Sequence, residues 1–360
     1  MKKIIRRLVL AALCIIVFFM LQRLLMPKYM DDILEGSFIQ EYYSEKTNHD
    51  VLFVGDCELY ENFSPITLWE DYGITSYIRG SAQQLIWQSY YLLEDTLRKE
   101  TPKVVVFNVL SLKYNEPQRE EYNRMTIDGM QWSKSKIDNI NASMTEGEQF
   151  LDYVFPFLRY HSRITQLTDS DFKYYFNKRK VTHNGYYMRV DVAPVTGEVE
   201  DIKPDSYQFG SNAWKYMDKI VDLCEKKGIQ LVLVKAPSLS PVWYDEYEQQ
   251  VVDYAAKKKL PYINYLKLVD EIPIDFTKDT YDEGLHMNLT GAEKLSKHLG
   301  GILKKDYQLE DHRNNSKLSK IWEKKAEFYH DMEKAQYDEL EKYGYLKSFG
   351  GESANDEAEN

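Results

Sequence analysis

The chain has 360 residues and is 43% hydrophobic, which is enough for one elaborated α/β domain with appended segments. Its formal net charge is −11 and it has no stripe of Lys and Arg with interleaved aromatic residues, so nucleic acid is excluded as an expected partner. The three cysteines, Cys14, Cys57 and Cys224, form no CxxC pair, which excludes a zinc ribbon and a disulfide framework. The histidines show no metal-ligand spacing, and we predict neither a metal nor a cofactor.

The N-terminus is predicted to be a membrane anchor. Four basic residues, Lys2, Lys3, Arg6 and Arg7, precede an apolar run at 8–21, and Arg23 could snorkel and extend the span through Met26. No small-x-small cleavage pattern follows, so a signal anchor is favoured over a cleaved signal peptide. The charge bias predicts an N-terminus inside and everything after Pro27 outside the cell membrane. Residues 1–28 are therefore assigned to the cytoplasmic end and the anchor.

The segment 29–49 is polar and is predicted to be a stalk, and an α/β domain is predicted over 50–304. Its first strand, 51–54, is closed by Gly55-Asp56, a second strand covers 74–78, and a third covers 103–110. A helix is predicted over 84–98, between the second and third strands.

Residues 111–209 lose the strand–helix alternation and are predicted to be an inserted cap region with one helix over 149–158. Alternation then resumes with helices over 213–227, 245–258 and 290–303 and strands over 230–235 and 262–264. The C-terminal part, 305–360, is predicted to contain an amphipathic helix over 316–345 and a disordered acidic tail from 348.

Five strands interleaved with helices predict a parallel sheet covered on both faces. Active sites of such sheets gather at the carboxyl ends of the strands. Cys57, after the first strand, and Gly80, after the second, fall at these ends.

Three segments together predict nucleophilic catalysis. VLFVGDCELY, residues 51–60, delivers Cys57 at the start of a predicted helix, where the dipole favours a thiolate. Gly80 in SYIRGSAQQ would let a backbone N–H approach a substrate oxygen. His286, with Asp282 and Glu283 shortly before it, supplies the imidazole and the acid that orients it.

These segments resemble the blocks of the SGNH/GDSL hydrolase superfamily, with the closest likeness in LHMNLTGAEKLSKHLG, residues 285–300. The resemblance implies a flavodoxin-like three-layer α/β sandwich with a parallel five-stranded sheet. It also implies that Cys57 takes the nucleophile's place, Gly80 joins the oxyanion hole, and His286 with an acid activates the nucleophile. Glu58 after the nucleophile and the stretch RYHSR make the chain similar to the membrane-anchored D-alanyl transfer proteins of teichoic-acid modification in Gram-positive bacteria.

Three departures from that family are visible. Cys57 stands where the family has Ser, which fits a thioester route and equally fits a changed or lost activity. Asp282 and Glu283 both remain candidates for the acid. The family's Gly-x-Asn-Asp block is not recognisable, and Asn108, Ser111 and Asn115 are alternative candidates for its oxyanion donor.

The bland alternatives are a buried structural thiol for Cys57 and a helix-capping histidine for His286. Further candidates for a substrate groove are Glu58, Arg159, His161 and Tyr186.

We predict an extracytoplasmic esterase or acyltransferase acting on acyl esters of cell-envelope glycans or teichoic-acid-like polymers. A membrane-bound O-acyltransferase is a candidate partner. The alternative is an inactive scaffold of the same fold that binds envelope polymer or such a partner.

Overall fold

The computed structural model describes residues 2–30, 33–176, 179–197 and 201–349. Its strands are β1 (Lys28–Met30), β2 (Ile33–Leu34), β3 (Val51–Gly55), β4 (Ser76–Gly80), β5 (Val104–Asn108), β6 (Gln230–Lys235) and β7 (Tyr262–Asn264). Its helices are α1 (Lys2–Leu21), α2 (Ser37–Glu41), α3 (Cys57–Tyr60), α4 (Pro65–Tyr72), α5 (Ile86–Thr96), α6 (Glu120–Ile127), α7 (Lys134–Ser143), α8 (Phe150–Val154), α9 (Pro156–Tyr160), α10 (Asp169–Phe176), α11 (Ser211–Lys227), α12 (Asp245–Lys258), α13 (Leu289–Asp306) and α14 (Ser316–Tyr343).

The predicted parallel sheet is confirmed. Among the described residues it has five strands in the order β4-β3-β5-β6-β7, and all neighbours run parallel. The first strand of the sheet, β3, is therefore interior, and the chain moves outward from it in both directions. Such an order brings the carboxyl ends of neighbouring strands to one edge, where ligands bind in doubly wound sheets.

Alternating side chains of the buried strands feed two cores, one on each face. Val51 and Phe53 of β3 belong to the core that packs against α4 and α13, whereas Leu52 and Val54 belong to the core against α5 and α11. Successive residues of a strand point to opposite faces, so a strand buried on both faces is a continuous apolar run. This pattern made the strands readable from sequence.

The segment 29–49 does not stand apart as a stalk. It contains β1, β2 and α2, and Phe38, Ile39 and Tyr42 are buried against the domain. The prediction of a stalk is thus corrected, because these apolar side chains leave water by packing on the domain.

The insertion 111–209 covers two parts of the domain. Its helix α7 packs on α5, and its 181–190 stretch lies beside the edge strand β4, where the Ile78 N–H donates to the Asn184 carbonyl at 2.9 Å. The helix predicted over 149–158 is two helices, α8 and α9. Pro156 causes the break, because the residue before a proline is disfavoured in helical conformation.

The C-terminal helix α14 is part of the fold. Trp322 is fully buried and stacks on Trp69 of α4, with ring centroids 5.2 Å apart. Farther along, the Gln336 amide accepts from the Val190 N–H and donates to the Met188 carbonyl, which ties the insertion to α14. The predicted disordered tail lies almost wholly at 350–360, outside the described residues.

One helical stretch in the described part of the chain, Lys2–Leu25, is long and apolar enough to cross a membrane, and the mean hydropathy over its most apolar stretch is 2.6. It lies outside the cores, and none of the residues of α1 is buried. A helix with these properties at an N-terminus is typical of a single-pass anchor or of a signal sequence.

Candidate active site

The turn after β3 places Cys57 at the carboxyl edge of the sheet. Asp56 is the N-cap of α3, and its carboxylate accepts the Glu58 N–H at 3.1 Å. Gly55 allows the tight turn, since a Cβ there would lie 2.9 Å from the Leu59 side chain and 3.1 Å from that of Asn108. The Cys57 N–H belongs to the first turn of the helix, where backbone donors have no intrahelical acceptor.

The His286 loop delivers the imidazole to the same place. His286 Nδ1 lies 2.6 Å from Asp282 Oδ2, and the His286 backbone N–H donates to Asp282 Oδ1 at 2.7 Å. Thr280 Oγ1 accepts the Gly284 N–H and donates to the His286 carbonyl, both at 2.8 Å, which closes the loop. The next residue is held as well, because the Met287 N–H donates to Asn62 Oδ1 at 2.7 Å.

Of the two predicted acids, the structure places Asp282 on the imidazole. Glu283 is exposed and has a left-handed backbone conformation, with φ of 58°. The two residues are adjacent in sequence, so their spacing to His286 alone could not separate them.

Cys57 and His286 line one cavity of about 360 Å³. Because Nδ1 is taken by Asp282, Nε2 is the nitrogen left for the thiol. Nε2 is buried and has no hydrogen bond to any described residue, so it is open to a group in the cavity. Cys57 and His286 lie close enough to shift each other's pKa. Burial raises the pKa of the Cys57 thiol, and His286 opposes that rise.

A second carboxylate, which sequence reasoning missed, lies beside the imidazole. Glu61 Oε2 is 3.3 Å from His286 Nδ1 and also accepts the hydroxyl of Tyr281, whose ring stacks on His286. Glu61 follows Cys57 by one helical turn, and that i, i+4 spacing was the available signal.

The acids and the imidazole shift one another's pKa values. Burial raises the pKa of Glu61 to about 7, and Asp282 adds to the rise while His286 opposes it. Burial alone would lower the pKa of His286, but the charges of Glu61 and Cys57 and the bond to Asp282 raise it well above its usual value. The protonated form of the imidazole is thus stabilised, which makes His286 a stronger base.

Behind Cys57 lies a buried charged cluster. Glu58 Oε1 pairs with Lys235 Nζ at 2.7 Å, and both side chains are almost fully buried. Asn108 donates its amide to Asp56 Oδ1 at 2.8 Å and to Glu58 Oε2 at 3.0 Å. Burial and the neighbouring Glu58 raise the pKa of Asp56 to about 7.

Asn108 and Gly80, which were predicted to complete the oxyanion hole beside Cys57, have other surroundings than that role requires. Both amide hydrogens of Asn108 are engaged in that cluster, so its predicted role as a free donor is not supported. Gly80 packs under α3, where a Cβ would lie 3.0 Å from the Gly55 carbonyl oxygen and 3.3 Å from the Tyr60 ring. The cavity wall is formed instead by the next residues, Ala82 and Gln83.

Of the four predicted groove residues, only Glu58 lines the cavity. Arg159 bonds Glu120 on the insertion, and His161 is exposed with Nδ1 3.2 Å from the Leu158 carbonyl. Tyr186 is fully buried against Tyr329 of α14. Those three predictions are corrected, because none of the three side chains lines the cavity. The wall contains tyrosines that were not predicted, namely Tyr29, Tyr114 and Tyr122.

Among the described residues, one group of His, Cys, Asp and Glu atoms is compact enough to ligate an ion. These are Glu61, Asp282 and His286, whose ligand atoms lie within 4.8 Å of one another. Within this group, His286 Nδ1 already lies 2.6 Å from Asp282 Oδ2. The hydrogen bond accounts for this arrangement.

Comparisons with known proteins give structural likeness only. No family model matches the chain, and no curated protein matches it in sequence. Among solved structures, it is similar to a protein from Desulfitobacterium hafniense described as a lipolytic protein of the G-D-S-L family, at 13% identity and a TM-score of 0.38, covering 71% of this chain and all of that one. A GDSL-like lipase from Bacteroides thetaiotaomicron gives 12% identity and a TM-score of 0.36, covering 76% of this chain and all of that one. A protein from Bacteroides fragilis described as an acylhydrolase gives 13% identity and a TM-score of 0.37, covering 74% of this chain and 94% of that one. Likeness at this level carries no argument about chemistry.

Proposed function

We propose that the chain is a membrane-anchored, thiol-dependent ester hydrolase or acyltransferase of the SGNH/GDSL kind. The observation that carries the proposal is that Cys57 and the free nitrogen of His286 share one cavity while Asp282 holds the other nitrogen. A nucleophile, a base and a group that orients the base are what acyl transfer requires.

The steps follow from these positions. His286 Nε2 takes the thiol proton, the Cys57 sulfur attacks the ester carbonyl, and the alcohol leaves with the proton from His286. A thioester forms on Cys57. Water or a sugar hydroxyl, deprotonated in turn by His286, attacks the thioester and releases an acid or a new ester, which restores the thiol.

The oxyanion would be held by the Cys57 N–H and the backbone at Ala82 and Gln83, in the place where Gly80 was predicted to act. The tyrosines of the wall have apolar faces and hydroxyl tips, which suits a sugar ring. This supports an acylated sugar, as in an envelope glycan or a teichoic-acid-like polymer, as the substrate. A membrane-bound O-acyltransferase is the source of acyl groups that we propose for the transfer reaction.

We further propose that α1 is retained as a signal anchor. Lys2, Lys3, Arg6 and Arg7 precede the apolar run, which favours a cytoplasmic N-terminus and an extracytoplasmic cavity.

The test is hydrolysis of p-nitrophenyl acetate by the purified full chain in detergent. Cys57→Ala and His286→Ala are each expected to lose at least ~100-fold in kcat/KM. Cys224→Ala, a buried core thiol on α11, is the matched control and is expected to keep wild-type activity. Mass spectrometry of the acid-quenched wild type should show one acetyl group on Cys57.

Activity unchanged by Cys57→Ala would remove the thioester route. If the wild type neither hydrolyses esters nor reacts with iodoacetamide at Cys57 faster than the His286→Ala variant does, the inactive scaffold becomes the better description.

A further inference from the structure

The end of the apolar helix is fixed to the folded domain. Leu24, Leu25 and Met26 are buried, and Arg163 Nη1 donates to the carbonyls of Leu25 at 2.9 Å and Met26 at 2.6 Å. These are carbonyls at a helical C-terminus, which otherwise lack partners. These bonds join the insertion to the end of the helix.

Aromatic contacts bring the insertion alongside the helix. The Phe157 ring lies 5.7 Å from that of Phe18, and the Phe155 ring 5.5 Å from that of Phe19. An α-helix rises 1.5 Å per residue, so Phe18 lies ~10 Å along the axis before Leu25. A domain side chain that touches Phe18 is thus below the end of the membrane span.

Helix α10 flanks the apolar helix in the same way. A cavity of about 720 Å³ lies between them, with walls from Ile15, Ile16, Phe19 and Met20 on one side and Tyr174, Tyr175 and Phe176 on the other. Phe176 is 78% exposed although it stands at the level of the apolar run.

Six large apolar side chains of this part of the insertion are exposed. We name them the collar: Leu151, Phe157, Leu158, Ile164, Phe172 and Phe176. Exposed apolar groups that gather in one region mark an interaction site, whereas scattered ones do not. Lys173, also exposed, lies in the same helix as Phe172 and suits anionic headgroups.

We propose that the collar is immersed in the lipid bilayer that the apolar helix spans, so that the domain lies against the membrane surface. Lipid is the occupant that these contacts favour, because Phe157 lies against Phe18 of α1, Phe176 shares a cavity with apolar residues of α1, and none of the residues of α1 is buried. The proposal depends on the helix being a membrane span and is independent of the ester chemistry.

The cavity with Cys57 then opens close to the headgroups. Tyr29 and Met30 line that cavity, and Tyr29 follows Leu25 by four residues, a reach of at most ~14 Å. A substrate attached to the membrane surface would reach the thiol without leaving the interface.

The test uses the full chain in vesicles of phosphatidylcholine and phosphatidylglycerol. Single cysteines at Leu158, Ile164 and Phe176, in a background with Cys14→Ala, Cys57→Ala and Cys224→Ala, are labelled with the fluorophore NBD. Each label is expected to shift to shorter wavelength and to be quenched by lipids with brominated acyl chains. Val252→Cys, an exposed apolar position on α12, is the control and should behave as in water.

A second measurement needs no variant. The wild type in vesicles that contain a diazirine-labelled acyl chain should gain lipid adducts in peptides from 150–176 as well as from 2–25. Adducts confined to 2–25, or NBD labels at the collar that match Val252, would overturn the proposal and would instead suit a collar covered by another protein.

Discussion

His286 and Asp282 are joined twice. One carboxylate oxygen of Asp282 lies 2.6 Å from His286 Nδ1, and the other accepts the backbone N–H of the same histidine at 2.7 Å. Both the ring and its main chain are therefore fixed by one side chain, four residues earlier. These two hydrogen bonds to one residue fix the proton on Nδ1 and direct Nε2 toward the cavity.

Replacing that carboxylate should reduce catalysis more than it reduces folding. Asp282→Asn is expected to lower kcat/KM for p-nitrophenyl acetate by ~100-fold or more, because the amide can donate to Nδ1 and stabilise the wrong tautomer. Glu283→Gln, exposed and one residue away, is the matched control and should stay within about twofold of wild type. Equal losses in both variants would contradict the assignment of Asp282 as the acid.

The pH dependence of kcat/KM should change when Glu61 is replaced. Its charge raises the pKa of His286, and it also raises that of Cys57, so removing it lowers both values. The reactive state of the pair holds one proton, as thiol with imidazole or as thiolate with imidazolium, and it is present above the first pKa of the pair. Glu61→Gln is therefore expected to move the acid limb of kcat/KM to lower pH. The profile is measured between pH 5 and 9 with p-nitrophenyl acetate. A limb that stays in place or moves upward would show that Glu61 does not act on this pair.

The sheet could be predicted because its strands are buried on both faces. Val104 to Phe107 is apolar without interruption, and β6 and β7 begin and end where the sequence indicated. The segment 29–49 was mispredicted because its apolar residues are spaced among charged ones. Burial of Phe38 and Tyr42 depends on contacts with distant parts of the chain, such as Tyr60 and Tyr77.

Of the site, the reacting residues could be predicted, and the side chains packed around them could not. Cys57 was found because it follows Gly-Asp at the end of a strand, and His286 because it follows two carboxylates just before a helix. The side chains that modify them come from tertiary structure. Lys235 is 177 residues from Glu58, and no local pattern links the two. Asn108 has the donor type expected of an oxyanion hole, but two buried carboxylates use both its hydrogens.

Stability should depend on pH through Asp56. Its pKa is raised from 3.8 to about 7, chiefly by burial, so between these values the folded state keeps a proton that the unfolded state has released. Stability from this group is therefore greatest at low pH and is lost as the pH rises toward 7. Asp56→Asn keeps an N-cap oxygen and removes the charge, so its gain over wild type should grow with pH, up to ~4 kcal/mol above pH 7.

Urea unfolding of the full chain in detergent, followed by tryptophan fluorescence at pH 5 and pH 8, checks this. If the free energies of unfolding of variant and wild type differ by the same amount at both pH values, the pKa of Asp56 is not raised in the folded state. Glu61→Gln is a useful comparison, since the pKa of Glu61 is also raised to about 7 by burial.

Removing one partner of the ion pair behind the nucleophile should lower the free energy of unfolding much more than replacing both partners. Lys235→Met leaves Glu58 and Asp56 buried without their cation, and the free energy of unfolding is expected to fall by ~3–5 kcal/mol. Adding Glu58→Leu should recover most of that loss, because no unpaired charge then remains at this position. Lys103→Met is the matched control: Lys103 pairs with Asp50 at 3.2 Å with its side chain 49% exposed, so its loss should cost at most ~1 kcal/mol. If the double variant is no more stable than Lys235→Met alone, the loss in that variant does not come from an unpaired Glu58 carboxylate, and this account of the ion pair is wrong.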